Sequence, residues 1–372
     1  VIPSVYLDHN ATTPVRPEAA AAVAEALGVG GNASSVHRAG RAARLLLERA
    51  REQVAALVDA APADLVFTSG GSEANHLALL GSGRARVLVS AVEHDSVLRA
   101  ASGAELLPVD GDGVIDLAAL DDALAGGAPP AIVSLMLANN ETGILQPVAE
   151  AAEIAHRRGA LLHCDAVQAA GKIAVDIRRL GVDYLTLSGH KLGAPQGIGA
   201  LVVAADAPLA AMQRGGGQER GRRAGTENLP GIAGFGAAAE RAAAELSHIA
   251  GLAAWRDRAE RELLAAAPEA VVFGARVARL PNTSCIALPG IPAETQVMAL
   301  DLAGIMVSAG SACSSGKVRP SHVLRAMGAG EALAASAIRV SLGWSTAESD
   351  VDAFVAAWLA FRDRARARRS AA

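Results

Sequence analysis

The order of short apolar runs and helix-like stretches predicts an α/β fold, with a large domain on a mostly parallel sheet and a smaller α/β domain. Two observations carry this reading. From about Asp64 onward, runs short enough to be buried strands alternate with longer helix-like stretches, as expected of strand–helix–strand units feeding a parallel sheet. An Ala-rich helical stretch over residues 230–266 then breaks the alternation, and it is long enough to join two domains. The 372 residues, 51% apolar and 19% charged, suit a globular chain with more than one core.

In chain order, strand-like segments fall at residues 65–68, 86–90, 132–136, 161–164, 184–187 and 201–203, the last after a Gly-rich turn. Helix-like stretches lie between them at 73–80, 117–124 and 148–158. After the Ala-rich stretch come a strand-like run at 285–288, a helix at 294–302, a strand at 338–342 and a final helix at 347–368. The expected division is a large domain over residues 14–245 and a small one made of 1–13 and 246–372. The arginines of residues 362–369 read as a solvated helix end.

A formal net charge of −4 offers no basic field for nucleic acid. No apolar run reaches the roughly 18 residues needed to span a bilayer. Val1 to Asp8 lacks the basic-then-apolar pattern of a signal peptide, so cytoplasm is the expected compartment. The chain has three cysteines, spaced far apart, which argues against a disulfide framework or a zinc cluster; no metal site is expected. It also has only three lysines, Lys172, Lys191 and Lys317. Chemistry that needs an amine nucleophile therefore has three candidates.

Lys191 closes Ser188-Gly189-His190-Lys191, directly after an apolar strand. Ligands gather at the carboxyl ends of strands in open α/β sheets, and a lysine there can form a Schiff base with a carbonyl cofactor if its surroundings lower its pKa. A solvated turn lysine is the plainer alternative, and the neighbouring Ser188 and His190, both able to bind phosphate, weigh against it. Lys172, after a glycine, reads as a surface turn residue, and Lys317 reads as an exposed loop lysine. Thr68-Ser69-Gly70-Gly71-Ser72-Glu73 stands between a strand and a helix, where glycines and free helix N–H groups suit an anion; Ser72 would serve equally as an N-cap. His163-Cys164-Asp165-Ala166-Val167-Gln168 ends another strand. Its Asp165 suits a pyridinium nitrogen, or a helix N-cap. Cys164 and Cys285 lie in apolar strands, as small buried hydrophobes do. Cys313 instead lies among small residues, in Gly310-Ser311-Ala312-Cys313-Ser314-Ser315-Gly316-Lys317, where a nucleophile could reach a site built elsewhere.

Together these motifs resemble the cysteine desulfurases of the NifS/IscS type, pyridoxal-phosphate enzymes of the class V aminotransferase group. The similarity runs from Tyr6-Leu7-Asp8-His9-Asn10-Ala11-Thr12-Thr13-Pro14 to Ser341-Leu342-Gly343. It takes in Glu93-His94, Asn139-Asn140-Glu141-Thr142-Gly143 and residues 215–226. The pairing of Ser-Gly-His-Lys with a distal Gly-Ser-Ala-Cys segment is its most specific feature. The resemblance implies fold-type I architecture and a homodimer, with Lys191 holding pyridoxal 5'-phosphate covalently. It implies that His94 stacks on the cofactor ring and assists proton transfer, that Asp165 binds the pyridinium nitrogen and that Gln168 binds the ring hydroxyl. Gly71, Ser72, Ser188 and His190 would hold the phosphate, and Thr226 would reach the phosphate of the neighbouring subunit. Asn140 and Arg339 would hold the carboxylate of L-cysteine, and Cys313 would accept its sulfur. Gly71-Ser72 replaces the Ala-Thr of many relatives and keeps the hydroxyl. The implied reaction turns L-cysteine into L-alanine and passes the sulfur to an acceptor protein such as an iron–sulfur scaffold. A selenocysteine lyase, or a class V aminotransferase that ignores Cys313, is the alternative reading within the fold. A non-catalytic sulfur-relay protein would leave Lys191 unexplained.

Overall fold

The computed structural model describes residues 4–126, 130–310 and 320–370. Its strands are β1 (Val5–Tyr6), β2 (Leu65–Thr68), β3 (Arg86–Ser90), β4 (Glu105–Leu107), β5 (Ala131–Ser134), β6 (Leu161–Asp165), β7 (Tyr184–Ser188), β8 (Gly199–Val203), β9 (Val271–Val272), β10 (Thr283–Ala287), β11 (Ile305–Met306), β12 (Ser308–Ala309) and β13 (Ala337–Ser341). The first helices are α1 (Pro17–Leu27), α2 (Arg38–Ala56), α3 (Gly71–Gly81), α4 (Asp95–Leu98), α5 (Leu117–Ala125), α6 (Val148–Arg157) and α7 (Ile177–Leu180). The rest are α8 (Leu229–Ala244), α9 (Leu246–Ala266), α10 (Ala293–Leu302), α11 (His322–Ala326), α12 (Glu331–Ala334) and α13 (Glu348–Ser370).

Seven strands form one sheet in the order β2-β8-β7-β6-β5-β3-β4. Only β8 runs against its neighbours, β2 and β7; the other pairings are parallel. The central strands β5 and β7 are buried along their whole length, which is why they read as continuous apolar runs and not as alternating ones. The carboxyl ends of β2, β3, β5, β6 and β7 therefore share one edge. On one face of the sheet Leu88, Val133, Leu162 and Leu185 pack with Leu47, Val54 and Phe235 from α2 and α8. On the other, Val66, Val89 and Ile132 pack with Leu77 of α3.

A separate core gathers Val5 and Leu7 with Leu252 and Leu263 of α9, Ile286, Ile338, and Phe354 and Trp358 of α13. It sits on the antiparallel sheet β12-β13-β10-β9 and the parallel pair β1-β11. The Ala-rich stretch read as one helix is two, α8 and α9, broken at Glu245. α1, α2 and the edge strand β4 had no counterpart in the sequence reading. β4 exposes two of its three residues, so it carries no apolar run. Arg362 is not solvated: its side chain is 8% exposed and pairs with Glu269 at 3.2 Å.

Candidate active site

A cavity of about 320 Å³ opens at the shared carboxyl edge. Gly71, Ser72, His94, Asn140, Asp165, Gln168, Ser188, His190, Lys191 and Arg339 all line it. Thr226 is exposed and lies outside it, in the segment before α8. Cys313 and Lys317 lie outside the described residues.

Lys191 is delivered by a single 3-10 turn, Gly189–Lys191, at the end of β7. That turn demands glycine: a Cβ on Gly189 would meet Ile198 Cγ2 at 2.8 Å and Ala194 Cβ at 3.1 Å. Lys191 Nζ donates to the backbone oxygens of Asn10 and, at 2.7 Å, Ala11. Burial, with Arg339 nearby, brings its amine down to about 7, against the pull of Asp8 and Asp165. Such an amine has an unprotonated fraction at neutral pH and can attack a carbonyl. His190 is likewise lowered to about 4 by burial and by Lys191, so its ring is neutral; Nδ1 lies 3.2 Å from Thr12 Oγ1.

Asp165, the last residue of β6, accepts from Val167 N at 3.0 Å through Oδ1 and from Asn75 Nδ2 at 2.9 Å through Oδ2. Asn75 Nδ2 also donates to Ser96 Oγ at 2.9 Å. The hydroxyl and N–H of Ser96 both reach His94 Nδ1, at 2.8 and 3.1 Å. Because Nδ1 accepts, the neutral His94 ring carries its proton on Nε2. Behind this row stands Glu93, whose carboxyl is pushed well up by burial and by Asp165; its Oε1 accepts from Met136 N at 2.6 Å.

The N-terminus of α3 forms the far wall. Ser72 does not cap it: Gly70 holds the N-cap position, and among the described residues no side chain caps the helix. A Cβ on Gly71 would meet Val167 Cγ2 at 3.0 Å and Ser188 Cβ at 3.5 Å, so glycine keeps this approach to the helix dipole open. Across the cavity, Arg339 of β13 donates to Asp8 Oδ1 at 2.8 Å and to Asn140 O at 3.1 Å. Its Nε is buried with no partner among the described residues. Asp8 Oδ2 also accepts from Ser308 Oγ of β12 at 3.0 Å, just before the segment that contains Cys313.

Lys172 corrects the sequence reading. It is no surface residue but 7% exposed, with Nζ 2.7 Å from both Asn10 Oδ1 and Gln168 Oε1. Asn10, to which the sequence assigned no role, is a hub for Lys172, Lys191 and Gln168. Cys164 and Cys285 are fully buried, as expected, and burial raises both thiols. His163 is held between Ser134 Oγ at 2.8 Å and Thr186 Oγ1 at 3.0 Å. No group of three or more His, Cys, Asp or Glu that could hold a metal occurs among the described residues.

An uncapped helix N-terminus beside a neutral histidine, a lowered lysine amine and a carboxylate on the adjacent strand suit a phosphorylated aldehyde with a basic ring nitrogen. The sequence matches the family described as Aminotransferase class-V over residues 5–354. A cysteine desulfurase of Cereibacter sphaeroides is 46% identical over 363 residues, covering 94% of this chain and 93% of that protein. This chain is a cysteine desulfurase of the class-V aminotransferase family. Among solved structures, the NifS-like protein of Rickettsia africae superposes with a TM-score of 0.89 at 35% identity, over 97% of this chain and 99% of that one. SspA, solved in complex with cysteine, gives 0.78 at 28% identity, over 91% and 99%. The cofactor of this desulfurase is pyridoxal 5'-phosphate, and the donor set described above fits it.

Proposed function

We propose that this enzyme converts L-cysteine to L-alanine and leaves the sulfur on Cys313 as a persulfide. The observation that carries the reading is the convergence of Lys191, Asp165, His94 and Arg339 on one cavity. When bound, pyridoxal phosphate supplies an electron sink for the bond-breaking at the substrate carbons. Lys191 would hold the cofactor covalently through Nζ, and the free amine can carry a proton at the substrate α-carbon. Asp165 would hold the ring nitrogen, and the Asn75 and Val167 N–H groups keep its carboxylate in place. His94 would pack on the cofactor ring and offer Nε2–H as an acid, its orientation set by Ser96. Ser72, Ser188 and His190 take the phosphate together with the N–H groups at Gly71 and Ser72.

Arg339 and Asn140 bind the substrate carboxylate, with the unpartnered Nε and the adjoining Nη supplying a two-pronged grip. The Cys313 thiolate attacks the substrate sulfur. The carbon–sulfur bond breaks, a sulfur–sulfur bond forms and the carbon fragment takes a proton, so cysteine plus thiol equals alanine plus persulfide. The enzyme acts as a homodimer in the cytoplasm, with Thr226 reaching the partner's phosphate site, and it passes its sulfur to a protein acceptor of the iron–sulfur scaffold kind. Support for direct delivery is the long run of small residues around Cys313. Incubation with L-cysteine and a reductant is expected to yield alanine and sulfide in equal amounts, with both lost in Cys313→Ala. Undiminished turnover in that variant would remove the acceptor role from Cys313.

A further inference from the structure

Two neighbouring carboxamides form the floor of the cavity, and a carboxamide can face either way unless its partners decide. Asn10 is decided by its surroundings: Nδ2 donates to Thr283 Oγ1 at 2.9 Å and Asn140 O at 3.2 Å. Its Oδ1 accepts from Lys172 at 2.7 Å and Asn282 Nδ2 at 3.2 Å. Gln168 is decided by Lys172 together with the backbone oxygen of Asn10. Lys172 Nζ donates to Gln168 Oε1 at 2.7 Å, and Gln168 Nε2 donates one hydrogen to the backbone oxygen of Asn10 at 3.0 Å. The second Nε2 hydrogen is left to the cavity that Gln168 lines with Asp165 and Lys191.

We propose that Lys172 is a positioning residue for the cofactor: by donating to Gln168 Oε1 it makes the carboxamide present an N–H, not a carbonyl oxygen, to the ring oxygen of pyridoxal phosphate. This rests on the reading of Gln168 as the partner of that ring oxygen. A donor there stabilises the oxygen as an anion, whereas a flipped carboxamide would repel it. Among the described residues, Lys172 Nζ has these two acceptors. Its charged neighbours Lys191 and Arg339 are both cations that, after burial, hold the amine well below its usual value. The i, i+4 spacing of Gln168 and Lys172 keeps the pair in reach through the turn at Gly171, whose φ of 72° lies in the left-handed region.

The test is a pH titration of the visible absorption band of the holoenzyme, together with the rate of cofactor loss on dilution. In Lys172→Met the band's midpoint is expected to rise by about one pH unit and the cofactor to leave about tenfold faster, the size expected for one hydrogen bond to a charged group. Gln168→Glu leaves Lys172 an acceptor but removes the N–H from the cavity, so its midpoint is expected to move the same way. In a Gln168→Met background, Lys172→Met should add no further shift, because the lysine acts through the glutamine. A normal wild-type band with an unmoved Lys172→Met band, even with lowered thermal stability, overturns the positioning role. So does an unmoved Gln168→Glu band, which decides the matter if Lys172→Met does not fold. A wild-type protein without any visible band would overturn the cofactor site itself.

Discussion

The depressed Lys191 amine ties the stability of the cofactor-free protein to pH in a way that one substitution isolates. Its pKa falls from 10.5 to about 7 on folding. The unfolded chain therefore binds more protons than the folded one throughout that window, and stability rises with pH across it. The penalty for burying the cation is fully present below pH 7 and is gone above pH 10.5. At about 1.36 kcal/mol per unit, the part relieved between pH 6.5 and 9.5 is about 3 kcal/mol. An unfolding entropy of about 2.1 cal/mol/K per residue, over 372 residues, makes that about 4 °C in the unfolding midpoint. Lys191→Ala removes the titrating group. Its lost contacts add an offset that does not depend on pH, and because Lys191 also lowers Lys172 and His190, their relief in the variant adds to its gain at the lower pH. Thermal scans of the two apoproteins at pH 6.5 and 9.5 should therefore show the variant gaining on wild type by about 4 °C or more at the lower pH. Parallel profiles would refute the lowered amine, and a gap that widens toward alkaline pH would reverse its sign.

Two further outcomes follow from the geometry. Arg339→Ala should raise KM for L-cysteine by roughly 10- to 100-fold in steady-state assays, the worth of one charge-assisted pair, while the visible band persists; an unchanged KM would move the carboxylate elsewhere. Gly189→Ala forces a Cβ to 2.8 Å from Ile198 Cγ2 and should cost about 1–3 kcal/mol. Calorimetry would read that as a lower melting point, with a slower return of the visible band when cofactor is added back.

Much of the sheet was legible because its strands are buried on both faces and flanked by turn residues, so each appeared as a short apolar run. Its edge was not, since β4 has one buried residue in three and offers no such run. The helices before Asp64 escaped for a related reason: their Ala- and Arg-rich stretches bury one face against α8 without a strand on either side to frame them. Lys191 was legible from position, at a strand end beside phosphate-type side chains. Lys172 was misread because a lysine after a glycine is ordinarily solvated; its burial depends on Asn10, 162 residues away, which no local pattern encodes. The link from His94 through Ser96 and Asn75 to Asp165 was hidden likewise, being assembled from α3, α4 and β6.

Lysine scarcity and burial together have a chemical consequence for loading the enzyme. Free pyridoxal phosphate is an aldehyde and condenses with any accessible primary amine. Of the three lysines in the chain, the two described are a buried one, Lys172, and the one that lines the cavity, Lys191. The described surface thus presents no lysine to compete for the aldehyde. Arginine, which carries the rest of the positive charge, does not form such adducts under these conditions. Lys317, read from the sequence as an exposed loop lysine, is then the one lysine left to compete with Lys191 for cofactor added in excess.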